Sequence, residues 1–254
     1  MLNQVEKHDA YAQEEFDAQA EVANLLDSYG HLEAQALLEP MLKHIFKGQI
    51  VVSSSFGAES AILLHMVSRI DPNTPVLFMD TGKLFQETID YRDQLTEMLG
   101  LTNVRIVRPD DEAIKAQDPD GNLWMSSTDS CCDVRKVKPF DTAIEKYTAV
   151  ITGRKRYQAT TRTTLEVIEH DGKQFKINPV ANWNIEQLQA YMKTYDLPAH
   201  PLVSKGYLSI GCEPCTSPVK EGEDPRAGRW RGEEKTECGI HYVNGKMVRT
   251  GAPA

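Results

Sequence analysis

The 254-residue chain has no apolar run near the roughly 20 residues that a membrane-spanning helix needs. Its start, Met1 to Glu15, is polar and acidic and holds no apolar signal-peptide core. An excess of positive charge is missing too. The formal net charge is −9, whereas a general nucleic-acid binder is usually basic. These absences argue against a membrane and a nucleic-acid partner and point to a cytoplasmic, reducing location. Cysteine is scarce, five residues in all. In a reducing compartment, paired cysteines more often bind metal or do redox chemistry than staple the fold. What remains is ordinary: 41% hydrophobic and 26% charged residues, enough for one large α/β domain or two small ones.

The cysteines fall as four plus one. Cys131 and Cys132 are adjacent, and Cys212 and Cys215 form a Cys-Glu-Pro-Cys pair. Two close pairs can hold one metal centre, either tetrahedral zinc or an iron–sulfur cluster. Two buried thiols packed as small apolar residues would also explain the adjacent pair. Cys238 stands apart in Glu237-Cys238-Gly239-Ile240-His241, near several arginines. A carboxylate, a histidine and nearby cations are a fitting setting for a nucleophilic thiolate.

Residues 1–47 read as a helical lead-in, with Val22, Leu25 and Leu26 at helical spacing. Strands and helices then alternate. Strands are expected at Ile50–Val52, Val76–Met79, Val104–Val107 and Ala149–Thr152. Helices are expected at Ala58–Ile70, Leu84–Leu99 and Ser126–Tyr147, the last kinked at Pro139. This order predicts a parallel sheet with helices on both faces, whose ligands bind beyond the carboxyl ends of the strands. Asp171-Gly172 between Leu165–Ile168 and Gln174–Ile177 signals a hairpin, and a helix is expected over Ile185–Tyr195. The nucleotide-binding core spans 48–219. Residues 220–254 offer few core anchors and read as a mobile tail, with a turn around Val243 to Lys246.

Three strand ends carry polar motifs. After the first strand comes Ser53-Ser54-Ser55-Phe56-Gly57-Ala58-Glu59-Ser60, where backbone N–H groups and a helix start can hold an anion. An ordinary Ser-rich helix cap is the plain alternative. The Gly-Lys-Ser/Thr ending of a Walker A loop is absent. After the second strand come Asp80, Thr81 and Gly82, which could bind a ligand, cap the next helix, or both. After the fourth come Gly153-Arg154-Lys155-Arg156 and then Arg162, cations suited to phosphate or sulfate. A second basic run, Arg226, Arg229, Arg231 and Lys235, precedes Cys238. Both runs are read as meeting a bound anion rather than solvent. His65 reads as a satisfied core or boundary residue and His200 as a loop residue. Trp124, Trp183 and Trp230 read as packing, with Trp230 also placed to touch a nucleotide.

Ser54 to Ser60, Asp80-Thr81-Gly82-Lys83-Leu84-Phe85-Gln86-Glu87-Thr88, Cys131-Cys132 with Arg135-Lys136, Cys212-x-x-Cys215 and Glu237 to His241 resemble one family. It is the adenylyl-sulfate (APS) and phosphoadenylyl-sulfate (PAPS) reductases of assimilatory sulfate reduction, which have a modified PP-loop, adenine-nucleotide-hydrolase-like α/β fold. The resemblance spans roughly residues 45–242. It implies that Cys238 attacks the substrate's sulfur, forms an S-sulfonate and is released by thioredoxin or a similar dithiol protein. It implies that Ser54, Ser55, Phe56, Gly57 and Glu59 hold substrate with Asp80, Thr81, Gly82 and Gly153. Lys136, Arg162, Arg226 and Arg229 would serve its phosphosulfate end, and His241, counted with the substrate-binding residues, would lie close to Cys238 once the tail closes over the substrate. Cys131, Cys132, Cys212 and Cys215 resemble the ligands of a [4Fe–4S] cluster, a subgroup that typically uses APS, with PAPS the alternative. A homo-oligomer is conceivable through the early helices. One departure is Lys155-Arg156-Tyr157-Gln158, where the family often has an acidic residue. Competing readings are a PP-loop ATP pyrophosphatase, which typically carries Ser-Gly-Gly-x-Asp-Ser after the first strand, and an iron–sulfur redox sensor.

Overall fold

The computed structural model describes residues 17–159, 162–235 and 237–239, together with the backbone of 242–243 and 246–247. His241 therefore lies outside the described residues.

A six-stranded sheet forms the centre. Its strands are β1 (Ile50–Ser54), β2 (Val76–Met79), β3 (Val104–Val107), β4 (Ala149–Ile151), β5 (Ile168–His170) and β6 (Phe175–Ile177). Their order is β3-β2-β1-β4-β6-β5. All pairings are parallel except β5–β6, the hairpin signalled by Asp171-Gly172. In register, Val52 faces Val76 on one side and Ile151 on the other.

Side chains of the inner strands alternate between two cores, as a pleat requires. Ile50, Val52, Val76, Phe78, Ala149 and Ile151 enter the larger core. There they meet α2 (Ala34–Pro40), α3 (Ser60–Ser68), α4 (Gln86–Met98) and α9 (Ile185–Thr194). Val51, Leu77, Met79 and Val150 enter the smaller core on the opposite face, against Phe140 and Ile144 of α8 (Lys138–Ile144). With both faces covered, these strands read as continuous apolar runs rather than alternating ones. The early helices contribute to the larger core through Leu25 of α1 (Ala18–Tyr29) and Leu37 and Leu38 of α2. Each such buried leucine contributes about 1.5–3 kcal/mol of transfer free energy.

The expected helix over 126–147 is broken. Between α4 and α8 lie α5 (Asp111–Gln117), α6 (Leu123–Ser126) and α7 (Thr128–Cys132), and a wider π-helical turn, Asp133–Val137, joins α7 to α8. Pro139 explains the change: it has no N–H to give to the carbonyl four residues back, so the hydrogen-bond ladder loosens before it. Cys131 and Cys132 close α7, and Lys136 sits in the π turn. Past Lys220 the chain has a stronger anchor than its composition suggested, since Trp230 is only 4% exposed. The short strands β7 (Tyr242–Val243) and β8 (Lys246–Met247) pair antiparallel around the expected turn.

His65 hydrogen-bonds Tyr191 through Nδ1 at 2.8 Å, the satisfied boundary role expected of it. His200 is more than a loop residue. It is buried, its Nδ1 accepts from the Leu202 backbone N–H at 3.1 Å, and its Nε2 pairs with Thr88 Oγ1 at 3.1 Å. Burial pulls its pKa down to about 4.

Candidate active site

Going outward from β1, the chain reaches β2 on one side and β4 on the other. Strand order reverses there, and the crevice beyond the carboxyl ends of β1 and β4 is the natural ligand site of an open α/β sheet. A cleft of about 690 Å³ opens at that point. Ser54, Ser55, Gly57 and Glu59 line it from the β1 side, and Gly153 lines it from the β4 side. Its other walls include Lys136 and Arg162, and Arg226, Arg229 and Cys238 of the C-terminal segment. Residues more than 180 positions apart thus meet around one space.

The β1 loop is shaped by Phe56, which adopts a left-handed φ of 48°. That conformation is costly for a bulky residue. Ser54 Oγ accepts from the Phe56 N–H at 3.2 Å, and the ring is driven inward, edge-on to Phe78 at 5.4 Å between centroids. Phe56 is therefore a core side chain: of the substrate-binding residues expected on this loop, its ring faces the interior while Ser54, Ser55, Gly57 and Glu59 line the cleft.

Asp80, Thr81 and Gly82 do not line the cleft. Asp80 accepts from the Gly82 N–H at 3.1 Å and pairs with Arg108 at 3.0 Å, which is the turn-making role. Thr81 turns toward the cysteines: its Oγ1 lies 3.2 Å from Cys212 Sγ, and its carbonyl accepts from Arg135 at 2.9 Å. Arg135 is buried and tied to buried Asp118 at 2.7 Å. This network joins the β2 loop to the segment that carries Cys131 and Cys132.

None of the five cysteines is disulfide-bonded. Burial pushes the Cys131 thiol up to about 11, and the neighbouring Cys132 and Cys212 add to the rise. Burial, then Cys212, Cys132 and Cys131, push Cys215 up to about 12. Cys132 is raised by burial as well, against the opposing pull of Lys235. The four thiols are thus close enough to feel one another's charge. Among the described residues, no three His, Cys, Asp or Glu side chains are spaced to hold a single metal ion.

The cations around the cleft separate into paired and unpaired. Lys155 donates to Glu59 at 2.5 Å, and Glu59 also accepts from Tyr157 at 2.8 Å and Gln158 at 2.9 Å. Arg154 is buried and paired with Glu169. Arg162 is paired with Glu237. The run after β4, expected to meet a bound anion, is thereby largely neutralised from within. Lys136 and Arg229 have no carboxylate partner among the described residues, and Arg229 Nε is buried without a hydrogen-bond partner. Burial pulls the Lys136 pKa down, but Cys238, Cys212 and Cys132 outweigh it and leave the ammonium firmly charged. Arg229 lies over the Trp230 ring, 4.4 Å from its centroid.

Gly211 was not singled out from the sequence. A methyl group there would overlap the Arg229 guanidinium, so its lack of a side chain gives that cation its place beside Cys212. The signal available was a glycine immediately before the Cys-x-x-Cys pair. Cys238 itself is half-buried, packs against the smaller core and borders the cleft. Gly239 follows it at a φ of 83°, a turn that disfavours other residues.

Fold and site together define an α/β protein with a thiol set in a cation-lined cleft at the sheet's switch point. Residues 49–218 match the family model described as the phosphoadenosine phosphosulfate reductase domain, and the chain belongs to that family, the APS/PAPS reductases. It is 52% identical to an adenosine 5′-phosphosulfate reductase of Chelativorans sp. over 89% of this chain and 92% of the relative. It is 48% identical to a protein of the same name from Mesorhizobium japonicum, over 92% of each. Among solved structures, the phosphate complex of phosphoadenylyl-sulfate (PAPS) reductase from Candida auris superposes with a TM-score of 0.67 at 27% identity. That match covers 81% of this chain and 99% of the other.

Proposed function

We propose that this protein is an oxidoreductase that converts adenosine 5′-phosphosulfate to sulfite and AMP in sulfate assimilation, with Cys238 as the nucleophile. The observation that carries the reading is the meeting of Cys238 with Lys136, Arg226 and Arg229 at one cleft, where Lys136 and Arg229 have no carboxylate partner among the described residues. Two relatives named for this activity, at about half identity over most of the chain, support the choice of substrate.

The Cys238 thiolate attacks the sulfate sulfur. The S–O bond to phosphate breaks, and AMP leaves with the bridging oxygen and its electron pair. A Cys238 S-sulfonate remains. The uncompensated cations stabilise the charge that develops on the departing phosphate, in a cleft that limits water. A dithiol protein of the thioredoxin type then attacks Cys238 Sγ. Sulfite leaves, the mixed disulfide is resolved by the second thiol, and two electrons pass from the dithiol to sulfur. One hard displacement becomes two easier ones. Among the described residues no helix is long and apolar enough to cross a membrane.

Cys131, Cys132, Cys212 and Cys215 would hold a [4Fe–4S] cluster. Four mutually interacting, mostly buried thiols are a suitable donor set, and Thr81, Arg135 and Lys235 supply polar groups around them. When bound, the cluster supplies a fixed charge near Lys136. Lys136 holds its proton between those sulfurs and Cys238, and it lends positive charge to the nucleophile's side of the cleft.

The test is sulfite release by protein purified without oxygen, with reduced thioredoxin and either APS or PAPS at equal concentration. Turnover of APS is expected. A preference for PAPS would move the substrate and keep the nucleophile, and no sulfite from either would sink the reading.

A further inference from the structure

The chain reaches Cys238 by crossing the four-thiol site. From Gly228 to Lys235 it is stitched first to one cysteine pair and then to the other. The Ser217 N–H donates to the Gly228 carbonyl at 2.8 Å, and the Trp230 N–H donates to the Cys215 carbonyl at 3.0 Å. Trp230 turns the chain at a left-handed φ of 47°, a conformation costly for a bulky residue. Its ring is buried, with Arg229 against it and Lys235 Nζ 5.3 Å from its centroid. The far end then meets α7, which closes on Cys131 and Cys132. Thr128 Oγ1 donates to Glu233 Oε2 at 2.6 Å. Lys235 Nζ donates to Asp129 Oδ1 at 2.6 Å and hydrogen-bonds the Cys132 sulfur. The Lys235 side chain is only 8% exposed, a burial that lysine rarely accepts without partners. It does not line the cleft, and only Thr236 and Glu237 separate it from Cys238.

We propose that Lys235 is a positioning residue: it anchors the nucleophile's segment to the Cys132 half of the thiol set, so that what the four thiols hold also sets where Cys238 stands. The inference rests on the reading of Cys238 as nucleophile and of the four cysteines as one ligand set. Asp129 is exposed, so its pair with Lys235 contributes little. The anchor lies instead in the buried lysine stem against Trp230 and in the ammonium beside the Cys132 sulfur. The strap from Gly228 to Lys235 has one end on the Cys215 backbone and the other on Cys132. The separation of the two cysteine pairs therefore fixes both of its ends. A metal centre bound by all four sulfurs holds that separation constant and places negative charge beside Lys235. Without it the pairs are free to part, and the strap loses its span. Lys136 and Lys235 thus stand near the same sulfurs with different tasks, since Lys136 lines the cleft and Lys235 does not.

The experiment uses the full chain purified without oxygen, with iron and sulfide content measured for every sample. The quantity read is the rate at which iodoacetamide alkylates Cys238, followed by mass spectrometry on the peptide that carries it. Wild type is compared before and after anaerobic removal of iron by a chelator, and with Lys235→Met, Lys235→Arg and Asp129→Asn. The anchor predicts alkylation about fivefold faster or more in iron-loaded Lys235→Met than in loaded wild type. Stripped wild type should match that rate, and stripping the variant should add little, because both changes release one contact. Loss of a nearby cation alone would leave less thiolate and slow the reaction, so a faster rate reports displacement of Cys238. Lys235→Arg, which keeps a cation, should lie nearer to wild type than Lys235→Met, and Asp129→Asn should match wild type. In steady state with APS, Lys235→Met should lower kcat about tenfold and leave KM within about threefold. Unchanged alkylation in iron-loaded Lys235→Met overturns the anchor. Equal alkylation in loaded and stripped wild type does so too, a comparison that needs no variant to fold. A rise of about tenfold in KM with unchanged alkylation would also overturn it, by making Lys235 a substrate contact. Should wild type release no sulfite, or bind no iron, the assigned reaction or the cluster falls, and Lys235→Met against wild type still decides the anchor from the alkylation rate alone.

Discussion

The basic run Arg154-Lys155-Arg156 and the run Arg226, Arg229, Arg231 and Lys235 look alike as sequence, and both border the same cleft through some of their members. In the fold they reach opposite electrical states. Arg154 has Glu169, Lys155 has Glu59 and Arg156 has Glu166. In the later run Arg231 has Glu223 and Lys235 has Asp129, but Arg229 has no carboxylate among the described residues, and Arg226 shares Glu237 with Arg162 at the longer distance. The first run is a set of internal ion pairs that brace the loop after β4. The second leaves charge uncompensated beside Cys238. Density of cations along a chain therefore does not locate an anion site; the distribution of carboxylates in space does.

This contrast can be broken or sharpened by substitution. The largest effect is expected for Cys238→Ser, which should cut sulfite release by about four orders of magnitude while APS still binds, as equilibrium binding of labelled APS would show. Next comes Arg229→Ala, expected to lower kcat/KM for APS about a hundredfold, or about 2.7 kcal/mol, with little change in melting temperature. Its counterpart in the first run, Arg154→Met, should do the reverse. Leaving Glu169 without its buried partner should cost on the order of 2 kcal/mol of stability, read in a denaturant titration, with KM for APS nearly unchanged. A comparable rise in KM from both variants would erase the distinction between the runs.

Gly211→Ala should displace the Arg229 guanidinium and lower kcat/KM about tenfold, and it should have little further effect once Arg229 is already alanine. The smallest effect is expected for Asp129→Asn. Asp129 is 67% exposed, so its pair with Lys235 should be worth no more than about 0.5 kcal/mol. A salt titration of the melting temperature in both proteins would show whether that pair contributes at all.

Much of this was present in the order of residues. Apolar runs such as Ile50-Val51-Val52 and Val76 to Met79 can be nothing but buried strands once helices separate them, and strands so connected must pair in parallel. The grouping of the cysteines, the Glu237-Cys238-Gly239 run and the loop after β1 were equally legible, because each is local chemistry. The family itself follows from those motifs. The kink before Pro139 was legible, but its form as a π turn was not, since that depends on which carbonyls find donors.

Only the tertiary structure decided which charges cancel. Asp80 and Thr81 sit at a strand end as the sequence placed them, yet one serves a turn and the other faces Cys212. Phe56 stands among lining residues and is itself core. Arg162 is paired with Glu237, 75 positions on, a contact that no local pattern in the sequence shows. Local pattern determines what an element is, because periodicity and turn chemistry act over a few residues. Pairing between side chains far apart in the chain depends on distances that exist only after folding, and in this cleft those distances separate the cations paired with carboxylates from Lys136 and Arg229, which have none among the described residues.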